Sequence, residues 1–183
     1  SDLIGRGCAL ALAHAGADVA INDRELSAET ASAAQQIEKA GRKAVAIAGD
    51  AFERAGCEAI LSEAIAQLGK VDILVSNPAF SRRGSFLDYS PELFEKTIQG
   101  TLIGGFHMSQ LVARHLVERG WGGKIIFISS VHARIPYVNS AAYNAAKSGL
   151  NHFAATIAAE LVAHRINVNV IEPGWIETPG EHA

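Results

Sequence analysis

The sequence predicts an α/β chain built on a doubly wound parallel sheet. Three observations carry that prediction. The strand-like runs, at 43–48, 71–76 and 124–129, are short and mostly apolar, as in strands buried on both faces. They alternate with helix-like segments along the whole chain, the pattern of strand and crossover helix. No internal repeat, low-complexity tract or linker divides the 183 residues, so a single domain over 1–183 is expected.

The elements follow in order. A helix reads from about Gly5 to His14, then a strand over 18–22. A helix over 28–40 is capped by Ser27 before it and Gly41 after it. The strand of 43–48 leads to a helix over about 55–68, closed by Gly69, and then to the strand of 71–76. Ser90 and Pro91 open a long helix as N-cap and first helical residue. It runs to about Arg119 and softens near Gly104 and Gly105. The strand of 124–129, a helix over about 141–163 and a strand over 166–171 complete the series.

Composition narrows the function classes. Hydrophobic residues make up 49% of the chain, ample for a core, and the net charge of −3 offers no basic field for nucleic acid. No apolar run approaches a membrane span. Cys8 and Cys57 fall in separate helical segments and read as reduced, packed thiols of a cytoplasmic protein. The seven His are scattered without metal-ligand spacing, so no metal site is expected.

Tyr143-Asn-Ala-Ala-Lys147 is the most informative stretch. Residues four apart on a helix share a face, so an ammonium can sit beside a phenol. The positive charge favours the phenolate and draws the Tyr toward acid/base work near neutral pH. Ser130 ends an apolar strand and can present its hydroxyl to the same substrate oxygen. A Tyr-x-x-x-Lys by itself also fits a solvated helix face. The order does more: apolar strand, Ser129-Ser130, a loop of about a dozen residues, the Tyr/Lys helix, then a strand ending in Pro173-Gly174.

This arrangement resembles the short-chain dehydrogenase/reductase family over essentially the whole chain. The resemblance implies a Rossmann-like sheet, a nicotinamide cofactor and an alcohol or carbonyl substrate. It assigns catalysis to Ser130, Tyr143 and Lys147, with Tyr143 and Lys147 also touching the cofactor. Thr101 stands where many members carry an Asn that holds a water in a proton relay; a local helix adaptation is the competing reading. The chain opens inside the family's glycine-rich turn. Leu3, Ile4 and Gly5 occupy its latter part, with Leu3 in place of a middle glycine. The central strand before that turn is therefore expected upstream, and a covering segment and last strand are expected after Ala183.

The resemblance also implies the remaining cofactor contacts. Asp23, at the end of the second family strand, would accept hydrogen bonds from the adenosine ribose and repel a 2′-phosphate, which favours NAD over NADP. Arg24 beside it softens that preference, and an ordinary Asn-Asp-Arg turn is the plainer alternative. Asp50 with Ala51 matches the adenine-contacting turn, or equally a helix N-cap. Asn77 and Ala79 keep the family's turn after the fourth strand, whereas Pro78 removes an N–H and Phe80 adds bulk. Pro173, Gly174, Ile176 and Thr178 form the loop that reaches the nicotinamide. His132, Arg134, Tyr137 and Trp175 flank the catalytic loops, where packing or surface roles suit each taken singly.

The leading expectation is an oxidoreductase acting on a secondary alcohol or ketone, with a sugar or polyol suggested by the 173–181 tail. A dehalogenase-like lyase and a non-catalytic binding protein on the same scaffold are the alternatives. Leu3, Pro78 and Phe80 lean toward the lyase; Lys147, Asp23 and the 173–178 loop lean against it. A homodimer or homotetramer is expected through the long helices of 91–119 and 141–163, as in relatives.

Overall fold

The structure is a computed structural model that describes residues 2–176, with side chains from Ile4 onward. Strand and helix alternate as α1 (Asp2–His14), β1 (Val19–Asp23), α2 (Ala28–Lys39), β2 (Ala44–Ala48), α3 (Arg54–Leu68), β3 (Ile73–Ser76), α4 (Pro91–Ile98), α5 (Gly104–Arg119), β4 (Gly123–Ile128), α6 (Ala141–Leu161) and β5 (Ile166–Ile171). The architecture is Rossmann-like.

All ladders are parallel. β1 pairs with β2, Val19 opposite Ala44. β3, β4 and β5 form a second sheet, with Ile73 opposite Lys124 and Gly123 opposite Ile166. Among the described residues β1 and β3 are not paired, so the sheet stands in two parts. α3 spans them. Its Ile60 and Ala64 pack with Ile47 on β2, while its Leu61 joins Val112, Leu116, Ile125, Phe127 and Ile166. Burial of these side chains, each worth roughly 1.5–3 kcal/mol, holds the halves together without a strand ladder.

The caps act as the sequence predicts. Ser27 Oγ accepts from Thr30 N, and Ser90 Oγ accepts from Leu93 N with Pro91 following. α3 stops at Gly69, whose φ of 81° is open to glycine at little cost.

Most element ends fall within a residue of expectation, and four features differ by more or in kind. α1 starts at Asp2, so Leu3, Ile4 and Gly5 lie in its first turns rather than before it. β3 starts at Ile73, and the Val71 carbonyl before it is taken by Arg119 rather than by a neighbouring strand. α6 ends at Leu161 in a 3-10 turn over Val162–His164. The softening expected at Gly104 is a five-residue π-helical segment just before it, Gln99–Ile103. There the chain presses on the 50–52 loop. A Cβ at Gly100 would lie 2.7 Å from Phe52 Cε2, and one at Gly104 would lie 2.7 Å from Ala51 O. Gln99 Nε2 donates to Phe52 O at 2.8 Å. The widened turn sits where helix and loop meet most closely, a usual setting for π-bulges.

Candidate active site

Parallel strands deliver their carboxyl ends to one edge, and the predicted site residues gather there in two groups. The first is at the end of β4. Ser130 continues the strand in extended conformation, and its Oγ accepts a hydrogen bond from His132 N at 3.2 Å. That leaves the Ser130 hydroxyl proton available to a substrate oxygen. Tyr143 is in the first turn of α6, and Lys147 follows one turn later on the same face.

Lys147 is only 2% exposed, yet its Nζ donates to Ile128 O at 2.7 Å. The same Nζ lies 5.5 Å from the centre of the Tyr143 ring. One bond thus ties α6 to the end of the strand that carries Ser130. Burial lowers the Lys147 ammonium from an ordinary 10.5 to about 8. A group this close to neutrality can carry or release a proton under ordinary conditions.

Thr101, 1% exposed in the π segment, is fully engaged. Its Oγ1 accepts from Phe80 N at 3.0 Å and donates to Phe80 O at 2.9 Å. Its hydroxyl therefore grips the 77–80 turn rather than its own helix. Asn77, at the head of that turn, lies against α1: a Cβ at Gly5 would stand 3.2 Å from Asn77 Nδ2. The lack of a side chain at Gly5 is what lets the turn and the helix approach. Ala79 is exposed at the turn's edge, and the Lys96 ammonium lies 4.6 Å over the Phe80 ring.

The second group lies at the ends of β1 and β2. Asp23, Arg24, Glu25, Ser27, Glu29 and Asp50 line an open cavity of about 640 Å³. Asp23 Oδ1 accepts from Arg24 N at 2.7 Å. Arg24 turns its guanidinium to Asp50, Nη2 to Oδ2 at 3.0 Å, and packs 5.6 Å from the Phe52 ring. Asp50 Oδ1 in turn accepts from Phe52 N at 2.9 Å. Ala51, next in line, is half-buried against Gly104. Four carboxylates surround one paired cation. Phe52 carries no signal in the sequence, since an aromatic after Asp-Ala reads only as core.

The loop after β5 packs back on the segment that follows Ser130. Pro173 O accepts from Val131 N at 3.1 Å, and Gly174 lies beside Val131. Ile176 is exposed, and Thr178 is outside the described residues. The flanking aromatics form a cluster. His132 stacks on Tyr137 at 4.1 Å with an 11° tilt and meets the Tyr143 ring edge-on at 5.4 Å. Trp175 meets Tyr137 edge-on at 5.5 Å.

The family model described as short chain dehydrogenase matches residues 1–183. This chain belongs to the short-chain dehydrogenase family. Its relatives include an oxidoreductase of Escherichia coli, YohF, called uncharacterized, at 36% identity over 96% of this chain and 70% of that one. An L-rhamnose 1-dehydrogenase (NAD(P)(+)) of Sphingomonas sp. is 33% identical over 96% of this chain and 69% of its own. The crystal structure of acetoin dehydrogenase YohF from Salmonella typhimurium superposes with a TM-score of 0.92 at 34% identity, covering 96% of this chain and 70% of that one. The chain is therefore a member of an oxidoreductase family that uses nicotinamide dinucleotides. The residues present fit such a group. An acidic cavity at the strand termini would take the ribose end, a glycine keeps α1 clear beside Asn77, and a lysine stands against the Tyr143 ring. No helix among the described residues is long and apolar enough to cross a membrane.

Proposed function

We propose that this protein is an NAD-dependent oxidoreductase that interconverts a secondary alcohol and its ketone, with a sugar or other polyhydroxylated compound as the substrate class. The observation that carries the reading is the junction of Lys147 with Ile128 O and the Tyr143 ring, beside Ser130 at the strand end. The relatives named for L-rhamnose and acetoin support an alcohol or hydroxyketone substrate.

In this reading Tyr143 takes the hydroxyl proton of the alcohol, or returns it to the ketone. Ser130 Oγ donates a hydrogen bond to the same oxygen and stabilises the charge that develops there. The Lys147 ammonium favours the Tyr143 phenolate and binds the cofactor's ribose. When bound, the nicotinamide supplies the hydride acceptor or donor. Asp23 accepts from the adenosine ribose hydroxyls, while Asp50 holds Arg24 away from a 2′-phosphate. Gly5, with Leu3 and Ile4, and the Asn77–Ala79 turn line the pyrophosphate path. Pro173, Gly174, Ile176 and Thr178 border the nicotinamide. Thr101 acts by fixing that turn through Phe80 rather than as a free relay group.

Lys147 and the open acidic cavity favour this reading over the lyase and over a non-catalytic protein. Phe94, Phe106 and Val117 leave exposed apolar surface on α4 and α5, which a second copy would cover in a homodimer or homotetramer. Sedimentation at micromolar concentration is expected to show more than a monomer. The free thiols Cys8 and Cys57 suit a cytoplasmic setting. The functional test is ketone-dependent oxidation of NADH by the full-length protein. Tight NADH binding with no turnover across a panel of ketones and hydroxyketones would turn the reading toward a non-redox role.

A further inference from the structure

A second, smaller cavity of about 220 Å³ is lined in part by His132, Tyr137, Ser140 and Trp175, and His132 in turn meets the Tyr143 ring. The proton on the His132 ring can be assigned from its neighbours. Asn144 Nδ2 donates to Tyr137 O at 3.1 Å, which fixes the amide with its oxygen toward the imidazole. That oxygen can only accept, so His132 Nδ1, at 2.9 Å from it, carries the hydrogen. In the neutral ring Nε2 is then a bare acceptor.

Nε2 has no protein partner among the described residues, and it is not among the buried polar atoms left unpaired. It is therefore open to the cavity or to solvent. The ring cannot turn freely, because Tyr137 stacks on it and Tyr143 abuts it. The backbone N–H of His132 is bonded to Ser130 Oγ, the hydroxyl proposed to hold the reacting oxygen, and the imidazole lies with its centre 5.4 Å from that of the Tyr143 ring. An acceptor beside the Tyr143 phenol matches a donor on the carbon next to the reacting one.

We propose that His132, oriented by Asn144, is a specificity-determining residue that selects substrates carrying a hydroxyl adjacent to the reacting carbon, an α-hydroxyketone or a vicinal diol. The inference rests on the catalytic assignment above and deepens it. The hydroxyl donates to His132 Nε2 while the reacting oxygen lies between Ser130 and Tyr143. The small cavity suits a compound of a few carbons.

Acetoin and butanone share one carbon skeleton and differ by that hydroxyl. The full-length protein is assayed for NADH oxidation with each. Acetoin is expected to have the higher kcat/KM. His132→Leu should shrink the acetoin-to-butanone ratio about tenfold, the effect of one lost hydrogen bond at the upper end of its range. His132→Gln, which restores a carbonyl acceptor, should recover part of it. Asn144→Leu leaves the ring in place but frees its tautomer, and should shrink the ratio by a few fold on the same grounds. An unchanged ratio in both His132→Leu and Asn144→Leu overturns the proposal. Calorimetric titration of NAD-saturated protein with the two ketones supplies a second readout that needs no turnover. Equal affinities overturn the proposal there too. A binding preference for acetoin that disappears in His132→Leu, without NADH oxidation in the wild type, would uphold the role of His132 and sink the oxidoreductase reading instead.

Discussion

The two ends of the candidate site are built from opposite materials. At the proposed adenosine end the ion pair is at the surface: Arg24 and Asp50 pair with 63% and 34% of their side chains exposed. At the proposed catalytic end Lys147 is 2% exposed and bonded to a strand carbonyl. An exposed pair is worth about 0–1 kcal/mol and is screened by salt. A buried ammonium costs several kcal/mol to desolvate, and removing its partners costs more. The adenosine end can thus be retuned by single substitutions at little cost to the fold. At the other end the buried Lys147 ammonium is itself a cost to the fold.

The sharpest way to break that contrast is Lys147→Met. Turnover is expected to fall on the order of a hundredfold or more, as when acid/base support is lost. Stability should rise at neutral pH, because a buried charge is replaced by an apolar chain of similar length. The pH dependence follows from the lowered Lys147. Between about 8, its folded value, and 10.5, its ordinary one, the unfolded chain binds the extra proton. Folding stability therefore increases with pH across that window. The advantage of Lys147→Met in urea unfolding should be largest below pH 8 and shrink by about 3 kcal/mol as the pH approaches 10.5, at 1.36 kcal/mol per unit. An advantage that stays constant across the window would show that Lys147 is not buried as a charge.

A medium effect is expected at Asp23. Asp23→Ala should cut the preference for NADH over NADPH about tenfold, one charge-assisted hydrogen bond lost together with one repulsive charge. Direct titration of both nucleotides checks it; no change would move ribose selection elsewhere in the cavity.

Thr101 sharpens the boundary between positioning and chemistry. Thr101→Val removes both bonds to Phe80 at constant shape. NADH affinity should weaken about two- to tenfold, and Thr101→Ser should restore it. A fall in kcat with unchanged affinity would favour the relay role instead. The smallest effect is expected for Arg24→Ala. NADH affinity should change by no more than about twofold, in keeping with an exposed ion pair.

Much of this molecule was legible because its signals are local. Alternating apolar runs mark the strands, and Ser27, Ser90-Pro91 and Gly69 mark helix ends within one turn. The Tyr143/Lys147 pair needs only helical spacing. What was not legible depends on contacts between distant segments. The π segment over Gln99–Ile103 reflects the approach of Phe52 and Ala51, some fifty residues away in sequence. The engagement of Thr101 by Phe80, and of Arg24 by Asp50, is likewise long-range. His132 could be flagged as flanking the site, but its fixed tautomer depends on an Asn144 amide that spacing alone does not orient.

The central claim is that Tyr143 performs the proton transfer while the fold and the cofactor grip belong to other residues. Tyr143→Phe tests it most directly, read as NADH binding and ketone-dependent NADH oxidation on the same preparation of the full-length protein. The expected result is turnover lowered on the order of 10²–10⁴-fold with NADH affinity within about threefold of wild type, since only the phenolic oxygen is removed. A Tyr143→Phe protein that keeps most of its turnover would contradict the account.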